Sequence, residues 1–155
     1  MKDAARMYRE SAVRCASPVG LIVILYEEVI RSLRKAQQAC ERKDVEQRIL
    51  AVSHAIRIIG YLQSVLNFEL GGEVAQNLSH FYNVSRSVIL KSSKTGNSQG
   101  LASLAADFSS LAQTWQQVDR AVSSRPQGET HEAALVSAIP SLALNETETS
   151  LRAER

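Results

Sequence analysis

Three histidines and two cysteines are the side chains of this 155-residue chain best suited to metal binding or nucleophilic chemistry. A di-metal site in a helical bundle requires Glu-x-x-His pairs that project inward from facing helices. The positions three residues before His54, His80 and His131 hold alanine, asparagine and glycine, and no His-x-x-x-His pair occurs. We therefore expect neither a metal site nor a cofactor.

The remaining reactive side chains also lack the partners that catalysis needs. Cys15 has no base at a fixed spacing, so we interpret it as a small apolar side chain. Glu27 and Glu28 would lie about 100° apart on a helix, which separates them too far for a paired-carboxylate site. Residues 71–73 (GGE) lack the glycine and lysine pattern of a phosphate-binding loop and are typical of a helix connector. The sequence predicts a protein that is not an enzyme.

Composition and charge limit the classes of partner. The chain has 18 Lys and Arg against 16 Asp and Glu, and a net charge of +2 is too small to predict a nucleic-acid partner. The longest wholly apolar run, residues 21–26, is far too short to cross a bilayer, so we expect no membrane insertion. No secretory signal pattern is present, and the cysteines have no CxxC spacing. These features predict a reduced, cytoplasmic protein.

Apolar residues recur at steps of three and four along four segments of the chain, which predicts four amphipathic helices. Ser17-Pro18 and Asp44 are typical helix starts, and glycines follow the predicted helix ends. The predicted helices cover about residues 18–40, 45–68, 73–94 and 101–123. Four long helices with short links predict an all-α fold, an antiparallel up-and-down four-helix bundle with a short N-terminal helix or segment.

The chain divides by composition into a bundle domain, residues 1–123, and a C-terminal tail, residues 124–155. The tail is rich in Ala, Ser, Thr and Glu and contains Pro126 and Pro140. We predict that most of this tail is disordered and flexible.

Two predicted helices carry more apolar residues than a bundle core needs. The six successive apolar residues 21–26 span more than one helical turn, so some must point away from the core. On the second helix, Ile58, Leu62 and Val65 form a row beside the main apolar stripe. Such a surplus typically marks an interaction surface. A partner-binding groove, a surface covered by the N-terminal segment and a dimer interface are three interpretations that stay open.

The order of the motifs at the N-terminus resembles the flagellar export chaperones, the FliS family. In that family a tyrosine precedes an alanine-serine-proline turn and a helix that runs from leucine-isoleucine to leucine-tyrosine. The corresponding residues are Tyr8, residues 13–18 (VRCASP) and residues 21–26 (LIVILY). Glu27 and Glu28 stand where the family commonly has aspartate and glycine.

A second block extends the resemblance to about residues 4–122. Residues 66–69 (LNFE), residues 71–78 (GGEVAQNL) and Phe81-Tyr82 resemble a leucine-rich helix end, a glycine pair and an asparagine-leucine helix of the family. Trp115 matches a tryptophan near the end of the family's last helix.

The resemblance implies a four-helix bundle and a function for it. It implies a cytosolic chaperone that binds the disordered C-terminal segment of flagellin, prevents premature polymerisation and delivers the subunit to the type III export gate. Free protein is expected as a monomer or weak dimer. The alternative is a helical adaptor or dimerisation module without a secretion role. The expected partner-binding residues, with Tyr8 on a mobile N-terminal cover and the residues of the first long helix on its exposed side, are Tyr8, Leu21, Ile22, Leu25, Tyr26, Ile58, Leu62 and Val65.

Overall fold

The protein is described by a computed structural model over residues 3–7 and 17–124. Residues 3–7 are helical, and four long helices follow: α1 (Pro18–Glu41), α2 (Val45–Ser64), α3 (Phe68–Thr95) and α4 (Ser98–Ser123). These two stretches contain no β-strand, and the predicted all-α fold is confirmed. Tyr8 and the tail beyond Ser124 lie outside the described residues.

Each long helix begins at a short polar side chain that caps its free backbone amides. The Gly20 N–H donates to Ser17 Oγ at 3.0 Å, and the Gln47 N–H donates to Asp44 Oδ1 at 3.1 Å. Asn67 and Asn97 cap α3 and α4 in the same way. The helix starts predicted at Ser17-Pro18 and Asp44 are therefore confirmed.

The junction between α2 and α3 differs from the prediction. Helix α2 ends at Ser64 rather than near Phe68, because Asn67 Oδ1 accepts the N–H groups of Glu69 and Leu70 and starts a new helix. Gly72 then interrupts α3 with φ 49° and ψ −126°, a backbone region that favours glycine. The glycine pair therefore separates a short helical turn, residues 68–71, from the main part of α3, which runs from Glu73 as the sequence predicts.

The four helices pack in a ring. Helix α1 packs against α2 and α4, and α3 packs against the same two helices. Connections of two or three residues make consecutive helices antiparallel. Ser17 Oγ donates to Asp119 Oδ1 at 2.6 Å, which joins the start of α1 to the last part of α4. One end of the bundle, here named the junction end, therefore holds the starts of α1 and α3 and the ends of α2 and α4.

An aromatic cluster fills the centre of the bundle. Tyr26 lies between Phe108 and Trp115, with ring centroids 5.4 and 6.4 Å away, and Phe81 lies 5.0 Å from Phe108. These side chains and the surrounding aliphatic residues are buried. None of the described helices is long and apolar enough to cross a membrane.

Candidate partner-binding surface

Tyr26 lies inside the protein and not on its surface. Its side chain is fully buried, and its hydroxyl oxygen lies 2.6 Å from that of Tyr82. Burial raises the pKa of Tyr26 to about 12. The expectation that Tyr26 lies on the exposed side of α1 is therefore wrong, and any influence on a partner passes through the packing of its neighbours.

The rotation of α1 follows from one row of residues spaced by three and four. Val19, Val23 and Tyr26 are buried together, and Val29 and Leu33 continue the row into the core. This rotation leaves Leu21, Ile22 and Leu25 half-buried along the neighbouring edge of α1. Ile22 and Leu25 pack against the outside of the core. Helix α1 thus presents an apolar edge beside its core row.

On α2 the predicted row divides between core and surface. Leu62 and Ile58 are buried, which corrects their placement outside the main stripe, while Val65 is 50% exposed. Tyr61, which the sequence analysis missed, is also 50% exposed. It lies three residues after Ile58 and four before Val65, so the helical spacing contained the signal that places it beside them.

A contact between polar side chains shows which residues of α1 and α2 lie level with each other. His54 Nε2 lies 3.2 Å from Glu28 Oε1. Because antiparallel helices each rise 1.5 Å per residue, Leu21 lies level with Tyr61. Leu21 shares a face of α1 with Glu28 and Tyr61 shares a face of α2 with His54, seven residues away in each case, so the apolar edge of α1 lies beside Tyr61. We name this surface the α1–α2 strip, composed of Leu21, Ile22, Leu25, Tyr61 and Val65.

Charged groups lie beside the strip. Glu28 forms an ion pair with Arg31 and lies within hydrogen-bond distance of His54 where the apolar edge of α1 ends. Farther along, Lys35, Arg42 and Asp44 line a groove between α1 and α2 together with Glu28 and His54. An apolar surface next to polar side chains is typical of a protein interaction site. Its chemistry suits the apolar face of a peptide segment.

Metal binding finds no support in the described part of the chain. No group of three or more His, Cys, Asp or Glu residues within residues 3–7 and 17–124 is placed to hold an ion. His80 is exposed on α3, and Cys40 is buried in the core. Cys15 and His131 lie outside the described residues.

The junction end carries two further exposed apolar side chains that the sequence analysis did not single out. Phe68 and Leu70 are 50% and 51% exposed in the first turn of α3. The sequence prediction placed Phe68 at the end of α2, where its exposure has no special meaning. The signal that was missed is Asn67, a preferred helix-capping residue directly before Phe68.

Comparison with known proteins places the whole described bundle in one family. The sequence model for the flagellar protein FliS matches residues 1–122. The flagellar secretion chaperone FliS of Salmonella typhimurium is 34% identical over 119 residues, which cover 76% of this chain and 88% of that relative. The flagellar secretion chaperone FliS of Campylobacter jejuni is 29% identical over 115 residues, which cover 74% and 90%. The flagellar secretion chaperone FliSB of Pseudomonas aeruginosa is 35% identical over 82 residues, which cover 53% and 65%.

Proposed function

The chain belongs to the flagellar protein FliS family, and from this premise we propose that it is a cytoplasmic chaperone for the C-terminal segment of flagellin. A chaperone role in flagellar export agrees with the names of its relatives. The finer proposal is that the protein holds this segment, prevents premature polymerisation and delivers the subunit to the type III export gate without catalysing a reaction.

The observation that carries the proposal is the α1–α2 strip. Leu21, Ile22 and Leu25 are half-buried, and Tyr61 and Val65 are half-exposed, so all five retain surface for a partner. A disordered segment that orders on binding loses several kcal/mol to conformational entropy, so it needs extended apolar contact. Two helices that present apolar side chains at the same level provide such contact.

The predicted binding residues take different parts in this proposal. Leu21, Ile22, Leu25 and Val65 contact the flagellin segment. The buried residues Tyr26, Ile58 and Leu62 hold the two helices at the spacing that forms the strip. Tyr8 covers the strip in the absence of flagellin, an assignment that rests on the sequence resemblance alone.

Calorimetric titration with a peptide from the C-terminal segment of the organism's own flagellin tests the proposal. We expect saturable 1:1 binding with a negative heat-capacity change, the signature of apolar burial. Val65→Glu places a charge within the strip, and we expect it to weaken binding by about tenfold or more. Leu90→Glu is the matched control, because Leu90 is 56% exposed on α3 and lies outside the strip.

Each outcome separates the alternatives. Absence of peptide binding by the folded wild-type protein at high micromolar concentration would overturn flagellin as the partner. Equal affinities of the Val65 and Leu90 variants would overturn the strip as the binding surface. A stable dimer that Val65→Glu dissociates, seen by analytical ultracentrifugation, would favour a dimerisation module.

A further inference from the structure

A second apolar surface lies at the junction end, where α2 gives way to α3. Val65, Phe68 and Leu70 fall within six residues of chain and are 50–51% exposed. We name these three residues the junction patch. Side chains of this size, each half in water and all at one end of the bundle, retain apolar area on more than one side of the turn that a partner segment would bury.

The local backbone explains why these side chains are not drawn into the core. The Asn67 cap starts a single helical turn, and the non-helical backbone at Gly72 sets that turn apart from the rest of α3. Beyond the interruption, Ala75 and Leu78 are buried normally. Phe68 and Leu70 therefore belong to a turn that does not follow the inward-facing register of α3.

The part of the chain beyond the family match contains a segment with matching chemistry. The family model ends at residue 122. Residues 133–144 (AALVSAIPSLAL) contain no charged side chain, and five of the twelve are Leu, Ile or Val. Glu132 and Glu146 lie just outside this uncharged stretch. Its burial would remove apolar area from water without desolvating a charge.

Chain length and direction allow this segment to reach the patch. Helix α4 ends at Ser123, at the same junction end as Phe68, and residues 125–132 separate Ser124 from residue 133. Eight extended residues span up to about 26–29 Å. Neighbouring helices lie about 8–10 Å apart, so this linker reaches across the end of the bundle.

We propose that residues 133–144 dock on the junction patch of their own chain. In this arrangement the aliphatic side chains of the segment contact Val65, Phe68 and Leu70. Residues 125–132 form the linker between the end of α4 and the docked segment. The docking is intramolecular and its test uses no flagellin, although Val65 belongs to both the junction patch and the α1–α2 strip. It assigns a role to a segment that the family match does not cover.

Site-specific photo-crosslinking in the full-length protein tests the docking. Phe68 is replaced by p-benzoylphenylalanine, the dilute protein is irradiated, and cross-linked peptides of the monomer are mapped by mass spectrometry. We expect cross-links from position 68 to residues 133–144. The same replacement at Leu90, equally exposed but near the opposite end of the bundle, is the matched control and should give none.

Variants in the tail make the result specific. Leu135→Asp with Leu142→Asp should abolish the cross-link, while circular dichroism of the bundle stays unchanged. Cross-links from position 68 to residues 8–16, or to a second copy in a dimer band, would overturn the proposal. Absence of any cross-link above the Leu90 control, or its persistence in the tail variant, would overturn it as well.

Discussion

The hydroxyl groups of Tyr26 and Tyr82 lie 2.6 Å apart in the core and join α1 to α3 across the bundle. Both side chains are almost completely buried, and their ring centroids are 6.4 Å apart. Because a buried hydroxyl without a partner is costly, each tyrosine supplies the partner that the other needs. This pair helps to hold the rotation of α1 that leaves Leu21 and Leu25 at the surface.

Removal of both hydroxyl groups should lower the free energy of unfolding by less than the sum of the two single removals. Tyr26→Phe leaves the buried Tyr82 hydroxyl without its partner, and we expect it to lower the free energy of unfolding by about 1–3 kcal/mol. Tyr82→Phe should cost less, because the Tyr26 hydroxyl keeps its hydrogen bond with Trp115. The double variant contains neither tyrosine hydroxyl, and the Trp115 contact is already lost in Tyr26→Phe, so its loss should be smaller than the sum of the single losses. Urea denaturation followed by fluorescence of Trp115, the single tryptophan, measures all four proteins. Additive losses would show that the hydroxyl pair contributes no coupling.

The same pair should make the protein sensitive to alkali. Burial raises the pKa of Tyr26 to about 12 and that of Tyr82 well above its usual value of 10. Above pH 10 the unfolded chain releases these protons while the folded protein retains them, so stability falls as pH rises. We expect a loss on the order of 1 kcal/mol per pH unit for each tyrosine between pH 10 and 12.

Urea denaturation midpoints from pH 8 to 12 measure this loss. The variant with both Tyr26→Phe and Tyr82→Phe should show a shallower alkaline decline than the wild type, because it lacks the two buried ionisable groups. Parallel pH profiles for the two proteins would contradict the assignment.

Two glycines provide a matched comparison of backbone requirements. Gly72 has φ 49° and ψ −126°, whereas Gly60 lies within α2 and a Cβ there would meet no atom within 4 Å. Gly72→Ala should therefore cost about 1–3 kcal/mol of stability. Gly60→Ala should stabilise the protein by about 0.5–1 kcal/mol, because alanine favours the helix. Equal shifts of the denaturation midpoint in the two variants would contradict the interrupted form of α3.

A charge introduced at one core position and at one strip position should distinguish the core from the strip. Tyr26→Glu buries an unpaired carboxylate among aromatic rings, and we expect a loss of several kcal/mol or an unfolded protein. Val65→Glu leaves the carboxylate in water because Val65 is 50% exposed, so the melting curve should stay close to that of the wild type. Circular dichroism melts measure both variants. A folded Tyr26→Glu variant with a native melting temperature would show that α1 rotates differently.

Local signals in the sequence were sufficient for the helices and most of their bounds. Ser17, Asp44 and the repeats of apolar residues at steps of three and four act within one or two helical turns, so they are readable without knowledge of the fold. The ring of four helices followed from their length and the short connections between them. The motifs between Tyr8 and Trp115 pointed to the family that the comparisons then showed.

The tertiary structure alone decided which apolar side chains face the core. Residues 21–26 surround more than one full turn with apolar side chains, so hydrophobicity there gives no preferred direction. Tyr26 faces inward because Tyr82, Phe108 and Trp115 meet it from other helices, and those contacts join residues far apart in the chain. Leu62 is buried and Tyr61 half-exposed for the same reason, since the neighbouring helices determine which side of α2 is covered. Helix formation depends on nearby residues, whereas helix rotation depends on packing between distant ones, and the candidate surface depends on rotation.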